Sequence, residues 1–277
     1  MTDPEAKPLL APAKVNLALH VTGRRDDGYH LLDSLVVFAD IGDRVQVTPA
    51  GEWSLTVSGP RAAGVPTDES NLCLKAARFA GTPVAIHLEK HLPSEAGIGG
   101  GSSDAAAVLR GIAALGTPIP KGTEQLGADV PVCLTPRAAR MQGVGEHVSP
   151  VTTLPPLPAL LVNPGRPVAT PAVFKQLETR DNPEMGPLPE RLRDPEEAAL
   201  YLSSLRNDLE GPAMALEPAI GAALSALGAL PLCLLARMSG SGASCFALFP
   251  TQEAARTAGR MLSAAHPDWW VCDTVLS

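Results

Sequence analysis

Between Pro93 and Asp104 the chain reads Pro-Ser-Glu-Ala-Gly-Ile-Gly-Gly-Gly-Ser-Ser-Asp, with four glycines in the five residues from Gly97 to Gly101. Glycine loses more backbone freedom on folding than any other residue, so such a run is a costly way to make an ordinary turn. Its setting narrows the choice further. Val84, Ile86 and Leu88 alternate ahead of it as a strand does, and Ala105, Val108, Leu109 and Ile112 follow at the i, i+3, i+4, i+7 spacing of an amphipathic helix. The order is strand, glycine loop, helix start, with Ser102, Ser103 and Asp104 expected to cap the helix. Backbone N–H groups without an intervening Cβ, at the positive end of a helix dipole, suit a di- or triphosphate. Ser102 and Ser103 add hydroxyls that can donate to phosphate or ligate a cation. A plain turn before a helix is the weaker alternative. Two familiar phosphate loops are excluded: Gly101 is not followed by Lys-Ser/Thr, and Ser102 stands where a GxGxxG fingerprint needs its last glycine.

The rest of the chain surrounds this loop with short elements. Ala13 to Thr22 alternates, with Val15, Leu17, Leu19 and Val21 on one face and Lys14, Asn16 and His20 on the other, as in a half-buried strand. The polar stretch Gly23 to His30 reads as a turn. Leu31 to Phe38 reads as a buried strand, Gly42-Asp43 as a further turn, and Arg44 to Thr48 and Trp53 to Ser58 as strands. A helix is expected over Asn71 to Ala80. The prolines at 150, 155, 156 and 158 mark a domain boundary, giving domains 1–155 and 156–277. Beyond it come a strand at 157–162, helices near 170–177, 195–205 and 213–227, strands near 232–238 and 243–249 around the turn Ser239-Gly240-Ser241-Gly242, a helix at 252–264 and a last strand at 269–276. Residues 180–195, polar and proline-rich, read as a surface loop.

Hydrophobic residues make up 45% of the 277 and charged residues 18%, the balance of a globular chain. The net charge of −7 with scattered Lys and Arg argues against a nucleic-acid partner. Five cysteines without a CxxC pair fit reduced thiols, and His20, His87, His91, His147 and His266 have no metal-ligand spacing. The first residues lack a signal-peptide core, and no run has the length of a membrane span. The expectation is a cytoplasmic protein without a membrane partner, monomeric or weakly dimeric.

Four segments together resemble one family. Residues 93–106, PSEAGIGGGSSDAA, resemble the central motif of the GHMP kinases, the group of galactokinase, homoserine kinase and mevalonate kinase. Pro12 to Leu17 followed by Gly-Arg-Arg-Asp-Asp-Gly-Tyr-His (23–30) resembles the start of the branch whose alcohol carries a cytidine diphosphate. Leu126 to Pro131 resembles the acidic motif, and Ser239 to Phe246 the third motif. Order and spacing agree over almost the whole chain, and the Asp-Gly-Tyr-His element is the most specific of the four.

The resemblance implies an α+β, two-domain GHMP kinase fold with its active site in the interdomain cleft. It implies ATP as phosphoryl donor, magnesium carried on ATP with no protein metal site, and a small cytidine-diphosphate substrate on the way to isoprenoid precursors. Carried over residue by residue, Asp129 is the general base and Lys14 its partner. Pro93, Ala96, Gly97, Ile98, Gly99, Gly100, Gly101, Ser102 and Ser103 hold the phosphates, and Asn71 meets the nucleoside of ATP, a role compatible with capping a helix. Asn16, Tyr29, His30, Thr170 and Phe174 hold the substrate, with the Tyr29-His30 pair gripping the cytidine together with a second aromatic, Phe174. An ammonium near Asp129 would keep it ionised and a weak base, which suffices where the proton leaves late in a loose transition state. A structural Lys14–Asp129 salt bridge, a tight hairpin at 240–242, a GHMP kinase for another small alcohol and a non-catalytic nucleotide sensor remain open as other readings. Gly116 to Gln125 and Phe79 to Pro83 are shorter than in relatives, so adenine recognition is not carried by the resemblance. Glu95 places an acid beside a phosphate loop, an unfavourable position unless it turns away or faces the metal.

Overall fold

The computed structural model describes residues 7–94 and 96–277; Glu95 lies outside the described residues. The chain forms two compact units, and neither is a single stretch of sequence. One holds the described residues up to Ala13, Ile41–Ser94 and Gly99–Pro136. The other holds Lys14–Asp40, residues 96–98 and Arg137–Ser277. The division passes through two long strands, β1 (Leu9–Arg24) and β2 (His30–Pro49).

In the first unit the later half of β2 pairs antiparallel with β4 (Val84–Glu89), from Arg44↔Glu89 to Pro49↔Val84, and β3 (Ser54–Ser58) lies parallel on the other side of β4. Two helices, α1 (Leu72–Ala80) and α2 (Gly100–Ala114), pack on each other and on β4, and the short α3 (Val130–Leu134) packs on α2. Val45, Val47, Ile86, Leu88, Leu74 and Leu109 are all buried here. Gly111 of α2 has no side chain because a Cβ would stand 2.7 Å from Val47 Cγ2.

The Gly42-Asp43 dipeptide does not turn. β2 runs straight through it, and a Cβ on Gly42 would collide with the Ala11 carbonyl oxygen, so this glycine serves a close backbone approach. Asp43 is fully buried and accepts the backbone N–H groups of His91 (2.5 Å) and Leu92 (2.9 Å). The dipeptide has turn composition, but its hydrogen bonds are tertiary.

The second unit is built on β10 (Trp270–Leu276), β7 (Leu157–Asn163), β9 (Cys245–Leu248) and β8 (Leu235–Met238), antiparallel in that order. β10 also meets the first half of β2 at Leu276↔Ala39. That half of β2 pairs with β5 (Ala139–Gly143), which pairs with β6 (His147–Pro150); neither short strand is evident from sequence pattern. The remaining helices are α4 (Thr170–Lys175), α5 (Pro195–Ser203), α6 (Glu210–Leu216), α7 (Pro218–Gly228) and α8 (Gln252–Ala265). The single helix expected over 213–227 is two, because Glu217 is extended and Pro218 cannot donate into the preceding turn. Leu160, Val162, Ile220, Leu227, Phe249 and Leu262 share one core.

β1 departs from a half-buried strand. Lys14, Asn16 and His20, on its polar face, are as buried as Val15 and Leu17 on the other. Residues 180–194 carry no regular element, yet Met185 is buried and strapped down. Its N–H donates to Asp33 at 2.7 Å, and its carbonyl accepts from Arg140, which also forks onto Asp33.

Candidate active site

In the first unit the end of β4 delivers the chain to Leu92 and Pro93, and α2 begins at Gly100, inside the glycine run. Gly99 is the residue before the first turn and sits at φ +62°, a conformation glycine adopts without a steric penalty. The first i→i−4 bond runs from Ser103 N–H to the Gly99 carbonyl at 2.8 Å. The N–H groups of Gly100, Gly101 and Ser102 therefore have no acceptor within the helix, which is what an anion needs. A Cβ on Gly101 would meet nothing within 4 Å, so the approach to these amides is open.

The Ser-Ser-Asp cluster does not cap this helix; all three residues lie within it. Ser102 is partly exposed in the first turn. Ser103 is fully buried, its hydroxyl without a hydrogen-bond partner among the described residues. Asp104 faces inward and accepts from Lys90 Nζ at 2.9 Å; the same ammonium also bonds Asp43. Two carboxylates thus share one buried cation. Burial raises the Asp104 pKa, Lys90 opposes this, and Asp43 adds to it, bringing it up to about 7. The Lys90 ammonium is disfavoured by burial, but the two carboxylates outweigh that and raise its pKa. This cluster, which sequence reading missed, fixes the first turn of α2 against β2 and β4. Its signal was a lysine just after a strand with an acid 14 residues further on, across the glycine loop.

Asn71 caps α1: its side-chain oxygen accepts the Cys73 N–H at 2.9 Å, and its amide donates to the Pro66 carbonyl at 2.7 Å. Asp129 stands immediately before α3, and its carbonyl accepts the Cys133 N–H at 3.3 Å. Gly127 lies within van der Waals distance of the Ser102 hydroxyl, 3.7 Å from where its Cβ would be, which brings the acidic motif to the start of α2.

The second unit holds Ala96 to Ile98 and the residues expected to hold the substrate, Asn16, Tyr29, His30, Thr170 and Phe174. Lys14 N–H donates to the Ile98 carbonyl at 2.9 Å and Ser244 N–H to the Ala96 carbonyl at 3.0 Å. Ser239 Oγ donates to the Gly97 carbonyl and accepts the Asn16 N–H, both at 3.0 Å. A Cβ on Gly97, at φ +70°, would stand 2.5 Å from the Gly242 carbonyl oxygen and 2.7 Å from that of Ser239. The glycine loop and the 239–242 turn are therefore interlocked backbone to backbone. Thr170 Oγ1 lies 2.7 Å from Ser241 Oγ, which joins α4 to the same turn. Asn207, also missed from sequence, donates to the carbonyls of Met238 (2.8 Å) and Gly240 (2.9 Å) and shapes it from behind.

His30 and Phe174 are stacked, with ring centroids 4.7 Å apart and planes 22° from parallel. Burial, then Arg24 and Arg180, lowers the His30 pKa, so the ring is neutral at pH 7 and its Nε2 is buried without a partner among the described residues. Tyr29, by contrast, is 66% exposed. The turn that displays the pair is closed by Arg24 Nε donating to the Gly28 carbonyl at 3.1 Å and by Tyr29 N–H donating to Asp27 at 3.2 Å.

An open helix N-terminus and two interlocked glycine turns, on an α+β fold, define the class. The sequence matches the model of the GHMP kinases N terminal domain over residues 71–135 and that of the GHMP kinases C terminal over 188–268, and the chain belongs to the GHMP kinase family. Within it, the chain is 58% identical to 4-diphosphocytidyl-2-C-methyl-D-erythritol kinase of Dinoroseobacter shibae, over 99% of this chain and 96% of that protein. It is 55% identical to the enzyme of the same name from Paracoccus denitrificans, over 96% of each. A solved structure of 4-(cytidine 5'-diphospho)-2C-methyl-D-erythritol kinase superposes with a TM-score of 0.78 at 37% identity, covering 98% of this chain and 99% of that one. Homoserine kinase of Cytophaga hutchinsonii, 17% identical with a TM-score of 0.64, shares the fold.

Proposed function

We propose that this chain is an ATP-dependent kinase that phosphorylates the 2-hydroxyl of 4-diphosphocytidyl-2-C-methyl-D-erythritol, giving the 2-phosphate and ADP, in the non-mevalonate route to isoprenoid precursors. What carries the reading is likeness to relatives of that name over 94–99% of the chain, fold and site segments together.

The chemistry assigned to each group follows from its setting. The free N–H groups of Gly100, Gly101 and Ser102 receive the ATP phosphates, with residues 93–99 shaping the approach. Magnesium travels on ATP, where it neutralises charge on the transferring phosphoryl group. Of the two serines, Ser102 has the accessible hydroxyl that a metal-bound phosphate can meet, while Ser103 is buried. No group of three or more His, Cys, Asp or Glu able to hold a metal lies among the described residues. Asn71 remains the proposed contact to the nucleoside of ATP.

Asp129 accepts the proton of the reacting hydroxyl and Lys14 offsets charge on the phosphoryl group. His30 and Phe174, already face to face and neutral, take the cytosine, with Tyr29 exposed beside them. Asn16 and Thr170 meet the remainder of the substrate. No helix among the described residues is long and apolar enough to cross a membrane; we place the enzyme in the cytoplasm, as a monomer or weak homodimer.

A coupled ADP-release assay offering the cytidine substrate, homoserine and mevalonate tests the reading. Turnover with the cytidine substrate alone is expected; turnover confined to another alcohol would replace it, and none with any would favour a nucleotide sensor. Asp129→Asn should lower kcat about a hundredfold or more, the usual contribution of a positioned base, with ATP binding retained. Near-normal turnover would remove Asp129 from that role.

A further inference from the structure

The Ser34 hydroxyl has a single proton, and its destination is fixed. Ser34 Oγ lies 2.7 Å from the Ala18 carbonyl oxygen, which can only accept. Its other short contact, 2.7 Å to the side-chain amide of Asn16, must then be one it receives, so Asn16 Nδ2 is the donor. An amide oxygen in that place would face a hydroxyl oxygen with no proton left to give. The orientation of the Asn16 amide is thereby assigned, and Oδ1 points the other way. There it is buried and has no hydrogen-bond partner among the described residues. Both residues are nearly inaccessible, Asn16 at 3% and Ser34 at 2%. The backbone N–H of Asn16 is held separately by Ser239, so main chain and side chain are fixed by different partners. A Cβ on Gly240 would come 3.4 Å from Oδ1; the glycine leaves that side clear.

A buried amide oxygen left without a donor costs free energy that a ligand can recover. Acceptor-only groups such as carboxylate or phosphate oxygens cannot supply the missing proton, whereas an alcohol can. An amide oxygen is also far too weak a base to remove a proton, so the hydroxyl it receives is not the one being phosphorylated. We propose that Ser34 is a positioning residue of the substrate site: its hydroxyl locks the Asn16 amide so that Oδ1 receives a spectator hydroxyl of the polyol substrate. The identity of that polyol rests on the function proposed above.

The test is a double-mutant cycle of Ser34→Ala and Asn16→Ala, with KM measured separately for the cytidine substrate and for ATP. Ser34→Ala should raise KM for the cytidine substrate about five- to tenfold, the worth of one neutral hydrogen bond, and leave KM for ATP within about twofold. In the Asn16→Ala background the same change should cost nothing further. An equal penalty in both backgrounds, or an equal rise for ATP, would show a strut between strands rather than a positioning residue. In the unmodified, ligand-free protein, NMR cross-peaks should connect the Asn16 Nδ2 protons with the Ser34 Hβ protons. Cross-peaks to the Gly240 Hα protons instead would overturn the assignment without recourse to any variant. Absence of turnover by the unmodified enzyme would strike the substrate reading, and calorimetric binding of the cytidine substrate to the same variants would then judge the lock.

Discussion

Residues 96–98 and 99–103 are neighbours in one glycine-rich motif, but they do different physical work. Gly97 is enclosed: its missing side chain makes room for the Gly242 and Ser239 carbonyls, and its own carbonyl takes the Ser239 hydroxyl. Gly101 is open, with nothing near the position of its Cβ and an amide free at the head of α2. The first half uses glycine to let backbone meet backbone. The second leaves the backbone open, as the phosphate contact proposed above requires. A glycine-rich motif thus need not be a phosphate site along its whole length.

Substitution at the two glycines should separate these uses. The largest effect is expected for Gly97→Ala, which combines a left-handed backbone with two carbonyl clashes. It should lose on the order of 4 kcal/mol of stability, seen as a large drop in the urea midpoint or a failure to accumulate folded protein. A midpoint near that of wild type would refute the interlock. Gly101→Ala should do the reverse. Replacing glycine by alanine in a helix gains up to about 1 kcal/mol, while the new methyl crowds the anion approach and raises KM for ATP about tenfold. Unchanged KM for ATP would move the phosphates away from this turn.

The smallest effect belongs to the charges beneath the second half. Asp104 has its pKa raised from 3.8 to about 7 on folding, so between those values the folded protein holds a proton the unfolded chain has released. Stability from this group is therefore present at low pH and lost as pH climbs through that window. The groups facing Asp104 are Asp43 and Lys90, with the Cys73 thiol close enough to feel its charge. Asp104→Asn should remove that slope, so that its melting temperature gains on wild type as pH rises from 4 to 7. Parallel curves would mean that Asp104 stays ionised throughout.

Most helices and strands were legible from periodicity and caps. Asn71 before α1, the strands around Ser239–Gly242 and the helix from Gln252 fall where the pattern puts them. The failures share a cause. Gly42-Asp43 looked like a turn and Ser102-Ser103-Asp104 like a cap, because their composition is that of groups that satisfy hydrogen bonds locally. Here the partners are distant in sequence: Lys90, His91 and Leu92 for Asp43, and Lys90 for Asp104. β5 is too short for the alternation of Ala139 and Met141 with Arg140 and Gln142 to stand out, and β6 is exposed along its length, so neither left a clear periodic signal.

By itself the sequence determined the order of elements, the family and the types of chemical group available, because local propensity and motif spacing are properties of neighbouring residues. Tertiary structure alone decided that Lys14, Asn16 and His20 are buried, that His30 stacks on Phe174 rather than standing free like Tyr29, and that Asn16 Oδ1 faces outward from Ser34. The physical reason is that burial and hydrogen-bond direction depend on what lies opposite, and the groups opposite come from sequence positions 18 to 223 residues away.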